Sequence, residues 1–382
     1  MASCLLSLPN ELTGEIIDAI PSLSDILSLA LTCRALKNLL IPSVLNYRHI
    51  SPTKTAVFWL DLARSPDLAR NVRLLEVDST LLEEPRGELF AAFCRALRGM
   101  SGLRKFDCAY GNGTVPSMGL GEVLEALRTS CPHLNDLSLG VYFENEMRDD
   151  WDVELPKFRN IETFYYSDRL SAPLIYAYPP FGNVLCFLFD NPSLVSIELH
   201  FGYNPRPLGE SFANLRCPNL KKFAITHAVV LSSAFCSFLR LNKSLENLRI
   251  DWCECLHPPQ PPQQTFQLHP RMPQRPRMLD SLQEGDLPNL RNCWVGDDDN
   301  WIYVCKAKPP LLRSLGRIRS YDFRRPSHSK RAFEAITAVS GSLKLLYGSL
   351  DHLKEDVIAA FPSLEVVSMQ CYPSLPQVSG PV

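Results

Sequence analysis

The sequence predicts an α/β protein in which a small N-terminal unit of three helices precedes an irregular horseshoe of parallel strands and outer helices. Two observations lead to this fold class. Residues 8–50 contain three short apolar segments at helical spacing, with Pro21 after the first and Pro42 after the third. Beyond residue 50, a short strand-like pattern of apolar residues returns many times, with helical stretches between its copies. A different α/β domain with parallel strands is the alternative for this second part.

The first two helices are predicted from their apolar residues. Pro9 occupies a position where proline is tolerated at a helix start, and Leu12, Ile16 and Ile20 follow at fourfold spacing before Pro21 ends the segment. The second helix has apolar residues on nearly every side: Ile26, Leu27, Leu29, Ala30 and Leu31. Such a helix has no face for water, so it must be covered.

A third segment, Cys33 to Leu40, precedes Pro42. A unit of three short helices is too small to bury all of these apolar side chains within itself. The surplus apolar surface therefore predicts docking against another protein, in the manner of an amphipathic helix that binds in a groove.

These residues resemble the F-box, through L-P-N-E-L from Leu8, S-D-I-L-S-L-A-L-T-C-R from Ser24 and P-S-V-L from Pro42. The F-box family binds a Skp-type adaptor, and through it the cullin of a ubiquitin ligase. Carried over by position, the resemblance implies adaptor contacts at Leu8, Pro9, Leu12, Ile16, Asp25, Leu29, Cys33 and Leu39. Leu31 and Leu36 are expected to pack inside the unit. The Leu-Tyr-Arg of the fungal-type pattern is one residue longer here, as Leu45-Asn46-Tyr47-Arg48, so the path into the next domain is left open.

The second part of the chain repeats the pattern apolar-x-x-apolar-x-apolar. Its copies begin at Val72, Leu103, Leu134, Ile161, Leu194, Leu220, Leu245, Leu290, Ile318, Leu343 and Leu364. The pattern resembles the strand signature of leucine-rich repeats, in which stacked strands form one parallel sheet. The repeats are degenerate: Gly348 fills the last position of one copy, and the cysteine or asparagine expected after the strand occurs only as Cys253.

Helices are predicted between the strands where the connections are long. Residues 87–100 carry one helical stripe, and a second stripe follows between the Leu103 and Leu134 copies. The members of the two stripes are Leu89, Phe90, Phe93, Cys94 and Leu97, and then Leu120, Val123, Leu124 and Leu127.

The predicted domains are an adaptor-binding module over residues 5–50, a repeat domain over 51–372 and a tail over 373–382. One long interval interrupts the repeats, where seven prolines and five glutamines lie between Pro258 and Pro276. Neither a helix nor a strand ladder persists through so many prolines. We expect a loop over residues 256–278, with a proline-rich ligand for a partner domain as a less favoured interpretation.

Composition and motifs argue against an enzyme. Formal net charge is −2, with 39 basic and 41 acidic residues, so we expect neither nucleic acid nor membrane as a partner. Cys253-Glu254-Cys255 with His257 lacks the second ligand pair of a zinc site. We therefore expect no catalytic residue, no metal and no cofactor. The irregular cysteines, with no signal-peptide pattern, favour a reducing compartment, cytoplasmic or nuclear.

Two cysteines share one position in their repeats. Cys131-Pro132 and Cys217-Pro218 each precede a predicted strand. This shared position indicates buried structural thiols that behave as small apolar residues.

A target site is predicted on the open face of the sheet. The residue between the second and third apolar positions of each copy should point to that face. This column contains Glu76, Asp107, Ser138, Tyr165, Glu198, Ala224, Arg249, Trp294, Asp322, Tyr347 and Ser368. Tyrosine, tryptophan and arginine are common at binding hot spots. The target contacts are therefore predicted at Tyr165, Arg249, Trp294 and Tyr347, flanked by Arg317, Arg319, Arg324 and Arg325, although the neighbouring insertion could instead bury Trp294.

Taken with the F-box resemblance, these features predict a non-enzymatic substrate-recognition subunit of an SCF-type cullin ubiquitin ligase. The N-terminal unit would bind the Skp-type adaptor, and the repeat domain would bind an unknown target protein. The alternatives are a scaffold that uses the same adaptor without promoting ubiquitination, and a hydrolase in an irregular α/β domain.

Overall fold

A computed structural model describes residues 7–20, 22–51, 56–77, 87–108, 115–116, 119–143, 151–170, 182–202, 206–251, 253–255, 277–296, 300–318, 326–348 and 362–369. Its contacts divide the chain into two compact units, Met1–Phe187 and Leu188–Val382. Each unit has parallel strands and helices, so the predicted α/β class with parallel strands is confirmed. None of the described helices is long and apolar enough to cross a membrane.

The first unit begins with the three predicted helices. They are α1 (Asn10–Asp18), α2 (Leu23–Ala30) and α3 (Arg34–Leu40). A π-helical turn, Ile41–Leu45, follows α3 and contains Pro42, whose missing N–H disfavours a regular α-helical turn. The later helices of the unit are α4 (Asn46–Arg48), α5 (Ala56–Arg64), α6 (Pro66–Ala69), α7 (Glu88–Arg98), α8 (Leu120–Ser130) and α9 (Trp151–Glu154), with a 3-10 turn at Leu155–Lys157.

The sheet of the first unit is parallel throughout. Its strands are β1 (His49–Ile50), β2 (Leu74–Glu76), β3 (Lys105–Asp107), β4 (Val115–Pro116), β5 (Asp136–Phe143) and β6 (Thr163–Leu170). They lie in the order β1-β2-β3-β5-β6, with β4 beside β5. The repeat pattern did not predict β1, which pairs Ile50 with Leu75 at the edge of the sheet.

Helix α10 (Gly182–Asp190) contains the division between the units. The main sheet of the second unit has the order β7-β9-β11-β13-β14-β15-β16. These strands are β7 (Ser196–His200), β9 (Lys222–Thr226), β11 (Asn247–Asp251), β13 (Asn292–Val295), β14 (Ser314–Ile318), β15 (Leu345–Gly348) and β16 (Val366–Met369). A 3-10 turn (Glu210–Asn214), α11 (Ser232–Leu241), α12 (Asn300–Lys306) and α13 (Pro326–Thr337) complete its helices within the described ranges.

A small second sheet, absent from the sequence prediction, accompanies the second unit. It consists of β8 (Arg206–Leu208), β10 (Ala228–Val230) and β12 (Glu254–Cys255), in the order β12-β10-β8. His227, with φ 56°, separates β9 from β10, so one chain segment serves both sheets. The change from one sheet to the other depends on the backbone conformation of His227, which the pattern of apolar residues does not predict.

The repeat pattern identifies the core correctly over most of its length. All three apolar positions are buried in each copy from the one at Val72 to the one at Leu290. A turn precedes many of these strands, as where the amide of Leu103 donates to the carbonyl of Met100 at 3.0 Å. The two predicted helices are also present, at Glu88–Arg98 and Leu120–Ser130. Both bury their apolar stripes, except that Leu89 is half-buried. Each of these copies therefore contributes one strand to the main sheet of its unit.

The copy predicted at Ile318 is wrong. The strand in this part of the chain is β14, and Leu315 pairs with Leu346 of the next copy. The copy therefore begins at Leu312, and Gly316 occupies the column position assigned to Asp322, which lies outside the described residues. The pattern fails because Arg317 stands where an apolar residue is expected.

The predicted proline-rich loop lies outside the described residues, except at its end. Met278 is buried, and the Sγ of Cys236 donates to its carbonyl oxygen at 3.6 Å. Arg277 contacts the hydroxyl of Tyr303. The packed structure therefore resumes at residue 277, inside the predicted loop of 256–278.

Candidate adaptor and target interfaces

The N-terminal helices share a small core. Their buried residues are Ile17, Ile26, Ala30, Leu36 and Leu40. Leu36 packs inside the unit, as predicted. Leu29 and Cys33, both expected to contact the adaptor, are half-buried and pack against this core.

A stripe of large apolar side chains remains exposed on the same helices. The stripe consists of Leu12, Ile16, Leu23, Leu27, Leu31 and Leu39, and we call it the apolar stripe. Ile16 is 41% exposed, and Leu31 is 65% exposed. The prediction that Leu31 packs internally is therefore wrong, because Leu31 continues, at i+4 spacing, the exposed face of Leu23 and Leu27 and not the buried face of Ile26 and Ala30.

The other predicted adaptor residues lie near helix starts. Pro9 is exposed at the beginning of α1, where its carbonyl oxygen accepts from the amide of Thr13 at 3.0 Å. Leu8 beside it is half-buried. Asp25 is exposed in the first turn of α2, and its amide donates to the hydroxyl of Ser22, which caps the helix. These ends present polar groups beside the apolar stripe.

Arg48 joins the N-terminal helices to the sheet. Its side chain is buried, and its guanidinium donates to the carbonyl oxygens of Ile20 at 2.5 Å and Ile17 at 3.5 Å. Both carbonyls lie at the C-terminal end of α1, where the last carbonyls of a helix lack regular helical partners. The carbonyl of Ile17 also accepts from the amide of Ile20 at 3.2 Å, so the guanidinium adds a second donor there. The carbonyl of Arg48 accepts from the amide of Arg73, next to β2. One residue thus fixes the path that the sequence left open.

The predicted target column forms a continuous row on the sheet of the second unit. Strand register places Arg249 beside Ala224 on one side and beside Trp294 on the other. Trp294 lies beside Gly316, and its ring centroid is 6.0 Å from that of Tyr347. The structure therefore brings Arg249, Trp294 and Tyr347 together, as the column predicted.

Gly316 makes room for the indole. A Cβ built at this position would lie 2.2 Å from Cε3 of Trp294. Trp294 is half-buried and packs against this bare backbone, whereas the neighbouring insertion that was expected to cover it as an alternative lies outside the described residues. The ring is thereby held in place before any partner binds.

A shallow hollow of about 130 Å³ opens beside Arg249 and Trp294. Lys222, Asn247 and Asn292 contribute polar edges to it. The hollow is large enough for one side chain of a partner and too small for a typical small-molecule ligand.

Ion pairs surround this hollow. Nε of Arg249 lies 2.8 Å from Oδ2 of Asp251, whose side chain is 2% exposed. Nζ of Lys222 lies 2.5 Å from Oε1 of Glu198. His200 completes the group, with its Nδ1 2.9 Å from the hydroxyl of Thr226.

The carboxyl of Glu198 is the most perturbed acid of this group. Hydrogen bonds from His200 and Lys222 lower its pKa to about 2, against the opposing effect of burial. Glu198 belongs to the predicted column, but the sequence analysis did not identify its two partners. His200 lies two residues after Glu198 on β7, and Lys222 lies on the neighbouring strand β9. Because residues i and i+2 of a strand lie on one face, the charged side chains two residues from the column positions could have predicted these partners.

The remaining predicted target residues belong to the first unit or have side chains outside the described part of the chain. Tyr165 lies half-buried on β6 of the first unit. Arg317 lies in β14, and Arg319, Arg324 and Arg325 fall outside the described residues. Two small residues of the column, Ser138 and Ala224, are buried. A column position therefore does not guarantee exposure.

The two Cys-Pro cysteines are buried, as predicted. Burial raises the pKa of both thiols, Cys131 and Cys217, to about 12, so they stay protonated at neutral pH. Across the described ranges, no group of three or more histidine, cysteine or acidic side chains is placed to hold a metal. His257, which the sequence set beside Cys253 and Cys255, lies outside those ranges.

Comparisons with known proteins add little. No protein-family model matches the chain, and no curated protein matches its sequence. Among solved structures, the Rad7 and Elc1 complex in yeast is similar over 91% of this chain and 88% of that chain, with 15% identity and a TM-score of 0.40. At this identity and score the likeness assigns no role to the chain.

Proposed function

We propose that this chain is a substrate-recognition subunit of an SCF-type cullin ubiquitin ligase. Its N-terminal helices, which resemble the F-box, bind a Skp-type adaptor, and the sheet face around Arg249 and Trp294 binds a target protein. The apolar stripe carries the proposal, because six large apolar side chains stay exposed on helices that already share a buried core. Full burial of an exposed Leu or Ile contributes about 1.5–3 kcal/mol, so each of these side chains, which are 41–65% exposed, would contribute about half of that.

The proposed role needs no catalytic residue on this chain. An adaptor held at one site and a target held at another raise the effective concentration of the target near a ubiquitin-conjugating enzyme. Hot-spot residues in the target face are rigid: Trp294 rests on Gly316, and Arg249 is oriented by Asp251. Such preorganisation lowers the entropy lost on binding.

Adaptor binding is tested first, with Ile16→Asp. A charge in the apolar stripe would be buried without a partner in the complex, so adaptor binding should be lost. The matched control is Leu241→Asp, at a side chain of similar exposure (44%) on α11 of the second unit. The measurement is adaptor co-purification, with thermal unfolding showing that both variants fold. Wild-type yield of adaptor with Ile16→Asp would refute the assignment.

Ubiquitination is tested by affinity purification with and without a proteasome inhibitor. A substrate receptor should co-purify adaptor and cullin, and its targets should accumulate when degradation is blocked. Partners whose amounts do not change with the inhibitor would instead indicate a scaffold that uses the same adaptor.

A further inference from the structure

The hollow beside Arg249 and Trp294 has a regular outline on the sheet. Asn247 and Arg249 lie two residues apart on β11, and strand register pairs them with Asn292 and Trp294 of β13. Residues i and i+2 of a strand point to one face about 7 Å apart, and neighbouring strands lie about 4.8 Å apart. Two side-chain amides therefore border one end of the hollow, and Arg249 and Trp294 border the other.

The surface of the hollow is mainly apolar. Phe223, Leu248 and Cys293, which contribute to its lining, are buried residues of the core. The indole of Trp294 is held in place against Gly316. Because the burial of apolar surface is favourable, a preformed apolar hollow of this size suits one apolar side chain of a partner.

The two cations of the lining already have carboxylate partners. Arg249 pairs with Asp251 and Lys222 pairs with Glu198, at N–O distances of 2.8 and 2.5 Å. Hydrogen bonds from His200 and Lys222 hold the pKa of Glu198 well below its ordinary value, so this carboxylate is ionised at neutral pH. The lining therefore offers little charge with which to select an acidic or a phosphorylated segment.

Asn247 and Asn292 join their side chains across the two strands. Nδ2 of Asn292 donates to Oδ1 of Asn247 at 2.6 Å, and within the described residues neither side-chain amide has another hydrogen-bond partner. Each amide has two N–H donors and an oxygen with two lone pairs, so the pair still presents both donors and acceptors. The backbone of an extended peptide presents the complementary C=O and N–H groups. The pair can therefore hold the backbone of a segment whose side chain enters the hollow.

We infer that this face recognises an uncharged, extended segment of its target by one leucine or methionine side chain. That side chain enters the hollow between Arg249 and Trp294, and the backbone of the segment bonds to the amides of Asn247 and Asn292. The inference rests on the proposed target binding and adds the chemistry of the target. The apolar anchor provides most of the affinity, and the amide pair orients the segment.

The test is selection of a phage-displayed library of random peptides on the full-length chain. Peptides with a leucine or methionine between uncharged residues should be enriched, and a synthetic copy of one enriched peptide is titrated by fluorescence polarisation. Replacement of its apolar side chain by alanine should weaken binding about tenfold or more, because the hollow is left unfilled. Salt at about 0.5 M should change the affinity by less than about twofold, since no unpaired charge is recognised.

Asn247→Ala with Asn292→Ala should weaken binding of the same peptide about tenfold, because hydrogen bonds to its backbone are lost. The matched control is Asn214→Ala with Asn219→Ala, two exposed asparagines that precede β9 and lie outside the lining. This control should bind the peptide like wild type. Circular dichroism shows that both double variants fold.

Enrichment of acidic peptides, or of no peptide at all, would overturn the inference. So would wild-type affinity for the alanine peptide or in the Asn247/Asn292 variant, or tighter binding of a copy that carries phosphoserine. The selection uses neither adaptor nor cullin, so its outcome is distinct from that of the ligase tests. A chain that selects these peptides but binds no adaptor would retain the inference and refute the proposed ligase role.

Discussion

Arg249 and Trp294 contribute to the target face in different ways. Arg249 already has an ion pair with the buried carboxylate of Asp251, so its removal also perturbs the strand. Trp294 rests on backbone at Gly316, and its removal leaves the strand ladder intact. Loss of target binding in an Arg249 variant must therefore be compared with its folding, which circular dichroism measures.

Arg249→Ala combined with Trp294→Ala should abolish capture of the targets that accumulate under proteasome inhibition. Truncated hot-spot residues cost about 2 kcal/mol or more each. Gly316→Ala should weaken capture although both Arg249 and Trp294 are kept, because the added Cβ must displace the indole of Trp294. Target co-purification, adaptor binding and circular dichroism are measured together.

The control pair is Arg216→Ala with Phe189→Ala, an exposed arginine and an exposed aromatic residue outside the strands. It should capture targets like wild type. Unchanged capture by the Arg249/Trp294 double variant would show that targets bind elsewhere.

The depressed pKa of Glu198 makes its contribution to stability dependent on pH. Hydrogen bonds from His200 and Lys222 stabilise its ionised form in the folded chain, where its pKa is about 2 rather than 4.5. Such a contribution is fully present above the unfolded pKa and is lost as pH falls through the folded pKa.

Glu198→Gln should therefore lower the urea midpoint at pH 7, and the difference from wild type should shrink between about pH 4.5 and 2. Unfolding curves at pH 7 and pH 3 measure it. Glu365→Gln, at an exposed carboxylate paired with Lys344, serves as the control and should have little effect at either pH. A difference for Glu198→Gln that stays constant across this range would contradict the assigned ion pairs.

At the scale of elements, buried Asn242 ties together the turns of two repeats. Its Nδ2 donates to the carbonyl oxygens of Leu215 at 2.9 Å and Phe238 at 2.8 Å. Its Oδ1 accepts from the amide of Cys217 at 2.7 Å. One side chain thus satisfies three backbone groups, at the C-terminal end of α11 and before β9.

Asn242→Ala should lower the free energy of unfolding by about 3 kcal/mol or more, because each buried polar group left unpaired costs about 1–3 kcal/mol. Asn289→Ala removes one exposed hydrogen bond, to the carbonyl of Lys243, and should cost about 0.5 kcal/mol or less. Chemical unfolding of both variants provides the measurement. If both variants lower the free energy of unfolding equally, the hydrogen bonds of Asn242 do not stabilise the contact between these two repeats.

For the molecule as a whole, the proline-rich insertion is expected to be dispensable for folding. Replacement of residues 258–276 by a short Gly/Ser linker should leave the melting temperature within a few degrees, because loop-closure entropy changes slowly with length. Residues from Arg277 onward must be kept, since Met278 is buried. Differential scanning calorimetry tests this, and a large drop in melting temperature would show that the segment packs as structure.

The sequence by itself determined the α/β class, the N-terminal helices and the buried residues of most repeats. Helical and strand periodicities are local, and they predict the burial of the three apolar positions in each repeat copy from Val72 to Val295. Tertiary structure decided the rest. The exposure of Leu31 and the start of one repeat copy at Leu312, six residues before the predicted Ile318, depend on which segments meet. These features depend on contacts between residues that are far apart in the sequence, and a local periodic pattern does not predict such contacts.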